Sequence, residues 1–433
     1  MVIQPFVSKS VRSCPGKITV QKGETGKFDE LLLARCYYEA VRIQEERFGD
    51  RTASADDLGI LPLRHVLKGN SAQVMAWWAQ TDGPYGRCLT LAAQHEGEFS
   101  ELSQFIRAIL AYKWPNYKGD VIMEKLQQAF QRAERWVKRS ARPLEAARWD
   151  YAFNGGSRAR VLDILAAFQN EDGGFGNALE PDYWLPSSSS IATWTACTIL
   201  LEVEADADHP LVRSVVNYLC CSQEPTGIWT TVLPENNDYP HAPWWHWEPG
   251  VQETWMFNPS VALAAYLIHW SEPGSRTAEQ AWMTVRLALE RLMDCSKMDM
   301  HELSLFLKLK ELMEQRNAAF ETQTNYRLAE VGAKVKELVG VELETDPSKW
   351  MEGYFALPLT FIQSPDSYLY PDYKELVEEN LRVFAEQVDE DGLWPVAWGW
   401  GAYPEEFAVA KRYWQGIIAL ERYRIFKAFG WLE

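Results

Sequence analysis

The sequence predicts an all-α protein, an (α/α)6 toroid of helical hairpins preceded by a helical accessory segment. Three observations carry this. Long stretches place apolar residues at three- and four-residue spacing, the mark of a helix with one buried face, and runs of alternating apolar and polar residues are few and short. Pro and Gly sit mostly between those stretches, where helices should stop. A turn signature also recurs. Gln169-Asn-Glu-Asp-Gly173-Gly-Phe175 and Gln223-Glu-Pro-Thr-Gly227-Ile-Trp229 share the form Q-x3-G-x-aromatic, and Gln387-Val-Asp-Glu-Asp-Gly392-Leu-Trp394 has it with one extra residue. The interval from Gln223 to Gln387 is about three times that from Gln169 to Gln223, as in a hairpin array whose intermediate copies have lost the signature.

Taken in order, residues 1–115 form the accessory segment. It holds a helix over Phe28–Phe48, a loop with Asp56-Asp57-Leu58-Gly59, and two helices around Val74–Trp78 and Leu102–Tyr112. Residues 116–433 form the toroid. Its outer helices are expected near 121–139, 157–169, 210–222, 276–296, 319–338 and 372–388, and its inner helices near 143–153, 188–204, 259–270, 301–316, 351–364 and 407–428. At each signature an outer helix ends at the Gln and the Gly lets the chain reverse. The aromatic then covers the helix end, and the Gln amide is expected to bond the last free carbonyls. The hydroxyls of Ser187-Ser188-Ser189-Ser190 supply N-caps for the following inner helix, and Asn258-Pro259-Ser260 opens another, with Pro suited to a first helical turn.

Composition excludes several classes. Lys and Arg number 43 against 60 Asp and Glu, and the net charge of −17 disfavours nucleic acid or an anionic membrane surface as partner. No apolar run reaches the length of a membrane span, and the first ten residues lack the charged and apolar segments of a secretory signal. Seven Cys, an odd number with only Cys220 and Cys221 adjacent, read as reduced thiols of a cytoplasmic protein. Twenty Trp is high usage, so either a large core or a binding surface consumes them.

The repeated Q-x3-G-x-W/F turn resembles the QW motif of squalene and oxidosqualene cyclases and the Gly-Gly-Phe-Gly turns of protein prenyltransferase β subunits. Gln169 to Gly176, followed by Ser-Ser-Ile-Ala-Thr-Trp-Thr-Ala, is similar to this terpenoid-cyclase and prenyltransferase-like family over a whole turn-plus-helix unit. The resemblance covers roughly residues 116–433 and implies the α/α barrel; fold does not fix the reaction. The departures matter. The D-x-D-D acid motif of proton-initiated cyclases is absent: Ser54-Ala55-Asp56-Asp57 keeps only its last two positions and Asp206-Ala207-Asp208-His209 ends in His. The D-D-x-x-D magnesium motif is missing as well. Asp294-Cys295 and Asp299-x-His301 offer the residue types of a prenyltransferase zinc site without its spacing. No metal and no cofactor is therefore predicted, and no Walker A, G-x-G-x-x-G, H-E-x-x-H, C-x-x-C or G-x-S-x-G pattern occurs.

In such a ring every outer-to-inner turn lies at one end. Three of these turns are long and rich in aromatic and acidic residues: Gly176 to Pro186, Thr230 to Phe257, and Pro395 to Phe407. Their convergence would build a mouth. Asp182 and Glu180 are the candidate acids, since a carboxyl in an aromatic pocket holds its proton near neutrality; helix capping is the plainer role for both. His241 is the candidate partner of that acid, and satisfied loop histidines are the plainer reading of His241 and His246. Trp184, Tyr239, Trp244, Trp245, His246, Trp255, Trp398 and Trp400 are candidate substrate-binding groups, with loop packing as the alternative. Glu405 and Glu406 open the last inner helix, where their charge suits the N-terminus.

Three functions stay open. The first is a cyclase of a small hydrophobic isoprenoid or polyene intermediate of natural-product biosynthesis, working by protonation or by shape-enforced, Diels–Alder-type cyclisation. The second is a carbohydrate-active (α/α)6 hydrolase or lyase, which needs two carboxyls across the mouth. The third is a non-catalytic binding protein.

Overall fold

The computed structural model describes residues 2–3, 18–19, 117–350 and 353–432. The helices expected at Phe28–Phe48, Val74–Trp78 and Leu102–Tyr112, and the Asp56-Asp57 loop, lie outside the described residues. Contacts divide the chain into two units, Met1–Glu124 and Lys125–Glu433. In the first, Val2–Ile3 (β1) and Ile18–Thr19 (β2) pair antiparallel, with Val2 opposite Thr19.

The second unit is predominantly helical among its described residues. Its helices are α1 (Tyr117–Ser140, which begins in the first unit), α2 (Pro143–Phe153), α3 (Arg158–Leu165), α4 (Ser190–Glu202), α5 (Pro210–Ser222), α6 (Val251–Trp255), α7 (Ser260–Trp270), α8 (Arg276–Asp294), α9 (Met300–Met313), α10 (Asn317–Thr324), α11 (Leu328–Glu342), α12 (Pro358–Phe361), α13 (Tyr370–Glu386) and α14 (Pro404–Ala428). The order of amphipathic and largely apolar helices follows the sequence reading with three corrections. The short helix α6 lies within the second long turn, where no helix was expected. The stretch expected as one helix over 319–338 is two, α10 and α11, because Asn325 adopts a left-handed backbone at φ 61° that ends the first. The inner helix expected over 351–364 is a single turn. Pro358 sits at its start, where a helix interior would reject it, and the preceding Ala356 pairs instead with Leu343 in a parallel bridge.

The signature turns explain how neighbouring hairpins are joined. Gly173, Gly227 and Gly392 all take left-handed backbone, at φ 92°, 85° and 84°. A Cβ on Gly173 would lie 2.3 Å from the Ser214 carbonyl oxygen of α5, and one on Gly392 2.1 Å from the Ala129 carbonyl oxygen of α1. The turn after α3 is thus seated on α5, and the turn after α13 is seated on α1. Gly227, after α5, faces Leu287 and Met283 of α8.

The Gln amides do not bond the carbonyls of their own helix. Gln169 Nε2 donates to Gly173 O (2.9 Å) and to Leu211 O of α5 (3.2 Å). Gln223 Nε2 donates to Gly227 O (3.3 Å), and to Gln280 O (3.1 Å) and Thr284 Oγ1 (2.7 Å) of α8. The helix ends are served by the aromatics instead. Trp229 Nε1 donates to Leu219 O (3.0 Å) and Trp394 Nε1 to Phe384 O (2.8 Å), each in the last turn of the preceding helix. α4 then starts as expected at Ser189, whose hydroxyl accepts from Ala192 N (3.1 Å); Pro259 falls at the N-cap of α7, one residue before its first turn.

The end of the chain returns to its beginning within this unit. α14 packs on α2. Tyr423 meets Phe130 and Trp149 edge-on at 5.2 and 5.5 Å, and Lys427 Nζ donates to Ala152 O (2.8 Å). Glu202 of α4 accepts from Arg148 of α2 (2.6 Å) and from Arg424 of α14 (2.7 Å). Among the described residues no helix is long and apolar enough to cross a membrane, and Cys197, Cys220, Cys221 and Cys295 are free thiols.

Candidate functional site

The first long turn is anchored at the junction of α1 and α2. Arg142 forms a buried bidentate pair with Glu145 (2.7 and 2.8 Å), and its Nη1 donates to the carbonyls of Ala178 (2.9 Å) and Leu179 (3.1 Å). That grip holds Asn177 and Ala178 in left-handed backbone, at φ 57° and 56°, and fixes where Glu180 and Asp182 begin. The second turn pairs with the first: Ala242 N donates to Asp182 O (2.9 Å), Trp184 N to Pro240 O (3.2 Å), and Tyr183 and His241 form an antiparallel bridge. Leu233 N donates to the Tyr183 hydroxyl (3.1 Å).

The third turn closes on the same place. Trp400 Nε1 donates to Asp182 Oδ1 (2.8 Å) and Trp398 Nε1 to Asp182 Oδ2 (3.1 Å). The three aromatic-rich turns therefore do converge. One apolar cluster joins Tyr183, Leu185, Val232, Ala242, Trp245 and Trp400, with Trp184, Trp244 and Trp255 partly buried against it.

Asp182 is 2% exposed, and burial raises its pKa, while the indole N–H groups of Trp400, Trp414 and Trp398 pull the other way. Glu180 is pushed much further up, by desolvation first and then by the charge of Asp182; its Oε2 accepts the Asp182 backbone N–H at 2.6 Å. The two carboxyls thus form a desolvated pair in which burial disfavours the charged state, most strongly at Glu180.

The other predicted groups divide. Trp245 (7% exposed) and Trp400 (3% exposed) are enclosed; Trp245 stacks on Trp255 at 4.5 Å, and Trp400 meets Trp184 edge-on at 6.1 Å. Both sit inside the packing of the mouth, the plainer of their two readings. Tyr239 and His246 lie exposed on the rim, and Trp398 is half-buried. His241 bonds neither carboxyl: Nδ1 is 2.6 Å from Tyr239 O and Nε2 is 3.1 Å from His246 Nδ1. Glu405 and Glu406 occupy the first turn of α14 as expected.

Four further residues join the site without any motif to announce them. Tyr354, an exposed ring before α12, stacks on His301 of α9 at 6.0 Å and meets Trp398 edge-on at 6.2 Å. Trp398 in turn meets Trp414 of α14 edge-on at 5.2 Å. Although the residue is 60% exposed, desolvation around its hydroxyl and the charges of Asp299, Asp182 and Glu421 raise the Tyr354 pKa. Trp414 Nε1 is buried and acts on Asp182 without coming within hydrogen-bond distance of it. Glu421 of α14 is exposed, and desolvation is the first cause of its raised pKa. Among the described residues no group of three or more His, Cys, Asp or Glu is placed to hold a metal.

No family model matches the chain, and no curated protein and no solved structure matches it.

Proposed function

We propose that the helices of the second unit close into an (α/α)6 toroid and that the chain is a terpenoid-cyclase-like enzyme acting on a hydrophobic isoprenoid or polyene. The ring is supported by three seams that join outer helices in succession, with the turn after α13 seated on α1 and α14 packed on α2. The observation that carries the function is the desolvated Glu180/Asp182 pair set beneath indoles at the convergence of three loops. Tyr354, Trp398 and Trp414 present aromatic faces beside it.

In the protonation version the pair delivers a proton to a terminal alkene, whose π electrons form the new C–H bond. The next double bond attacks the resulting cation, each ring bond replacing a π bond. Loss of a proton to the carboxylate ends the cascade, so the product is an isomer of the substrate. The substrate reaches Asp182 by displacing the Trp398 indole, which makes the longer of its two indole bonds. In the shape-enforced version the converged loops hold a polyene in a reactive conformer and no proton moves.

Incubation with linear isoprenoids and polyenes, read by mass spectrometry of the products, tests the proposal. Protonation predicts one deuterium per product in D2O and loss of turnover in Asp182→Asn and Glu180→Gln. Shape enforcement predicts no label and retained turnover. No isomeric product from any member of the panel contradicts both.

A second reading, a carbohydrate-active enzyme, draws on one observation, the accessible carboxyl of Glu421 beside the Arg148–Glu202–Arg424 network. Release of reducing ends or unsaturated sugars from an oligosaccharide panel would favour it.

A further inference from the structure

A cleft of about 590 Å³ lies away from the three converged turns, where the turn from α7 to α8 meets the turn from α9 to α10. Helix α7 shows the separation. Its first residue, Ser260, accepts from Trp229 N of the second signature turn (3.0 Å), and Ile268, near its other end, lines the cleft. That length of helix sets the two about 12 Å apart along the axis. Ile268, Ala278 and Trp282 are buried, so much of the wall belongs to the core, and Pro273 adds apolar surface at the rim. The volume suits a small organic ligand.

The polar groups left open in this cleft are donors. Half-buried Arg316 gives Nη2 to His269 O (3.0 Å), a carbonyl of the last turn of α7. No ion pair and no other hydrogen bond engages its guanidinium among the described residues. Burial, and then the positive charge of Arg316, hold the His269 imidazole below its ordinary range, so no second cation stands beside it. Trp282 is 4% exposed, and its indole N–H meets no protein acceptor and is not sealed in the core, so it opens on the cleft. The other groups are spent. Thr322 Oγ1 donates to Ala318 O (2.8 Å), and Gln323 gives Nε2 to Glu279 (2.9 Å) while its Oε1 accepts from Arg286 (3.3 Å). Glu314 pairs with Lys310 (2.6 Å). A cation and an indole N–H without acceptors, in a largely apolar cleft, call for an anionic acceptor on an apolar body.

We infer that this cleft is a second binding site and that it takes an organic monocarboxylate with an apolar body. The carboxylate sits on Arg316 and the Trp282 N–H, and the body lies against Ile268, Ala278 and Pro273. One unpaired guanidinium matches a single negative charge, and its planar fork suits a carboxylate. The inference stands without the isoprenoid reading, since it uses no residue of the converged turns.

Calorimetric titration of the full chain at neutral pH, with naphthylacetate and its neutral counterpart naphthylethanol, tests the inference. The acid is expected to saturate one site and to bind roughly tenfold or more tightly than the alcohol. Arg316→Gln should remove that preference while leaving the alcohol unchanged, and Arg316→Lys should fall between. A second measurement needs no change at Arg316. In protein with nitrogen-labelled tryptophan, the indole N–H signal that Trp282→Phe lacks should move as the acid is added to the wild type. Absence of binding by the acid, equal binding of acid and alcohol, or an Arg316→Gln variant that keeps the preference overturns the inference. So does a fixed Trp282 signal while other indole signals move, which would place the acid elsewhere in the protein.

Discussion

The indole nitrogen of Trp400 lies 2.8 Å from Asp182 Oδ1, a bond between residues 218 positions apart that ties the last long turn to the first. It is a charge-assisted contact in a desolvated place, and it competes with the burial that raises the Asp182 pKa. Trp400→Phe keeps a ring against Phe407 and Trp184 but removes the donor. A loss of about 1.5–3 kcal/mol is expected in urea denaturation at neutral pH. An unchanged midpoint would show that the bond does not hold the turns together.

Glu180 supplies a pH signature. Its folded pKa stands well above the ordinary carboxyl value of 4.5, so the native state binds the extra proton. Stability from this group is complete below the unfolded pKa and is lost as pH rises through the folded one. Glu180→Gln removes that loss. The melting temperature of the variant relative to the wild type should therefore climb with pH from about 4.5 upward. A difference that stays flat with pH would contradict the buried pair.

The signature glycines are ranked by their neighbours. An alanine at Gly392 would drive its Cβ against the backbone of Ala129 and Ala133, which cannot yield. At Gly227 the neighbours are the flexible ends of Leu287 and Met283, at 3.0 and 3.2 Å. Gly227→Ala should cost about 1–2 kcal/mol, the expense of left-handed backbone, and Gly392→Ala well beyond that. Equal losses would contradict the seating of the last turn on α1.

Arg142 is the pin of the first turn. Arg142→Ala leaves Glu145 buried and unpaired and frees the carbonyls of Ala178 and Leu179, with an expected loss of about 3–5 kcal/mol by chemical denaturation. Arg142→Lys should fall between the two, since an ammonium cannot reproduce the fork. If the lysine variant matched the wild type, the bidentate geometry would be irrelevant.

Much of the fold was legible because helix period and turn chemistry are local. The alternation from α1 to α9, and the later α13 and α14, follow from apolar spacing, and three turns are announced by Gln, Gly and an aromatic. What failed depended on contacts distant in sequence. Nothing near Gln169 or Gln223 signals that their amides reach α5 and α8, and Asn325 looks like an ordinary helical residue until its backbone turns left-handed. The convergence of the three loops could be read from topology, and with it the meeting of Asp182, Trp398 and Trp400. The partnership of His241 with an acid could not, because His246 and the Tyr239 carbonyl take its nitrogens. Tyr354, His301, Trp414 and Glu421 were invisible in the sequence: each is an unremarkable helix or loop residue that gains meaning only from the faces set opposite it.

The most direct test of the account is a crystal structure of the protein soaked with farnesol. The account predicts a single molecule in a closed ring, its chain against Trp398 and Trp414 and one end at Asp182. An open arc of helices, or a hollow filled by the protein's own side chains with farnesol bound elsewhere, would contradict it.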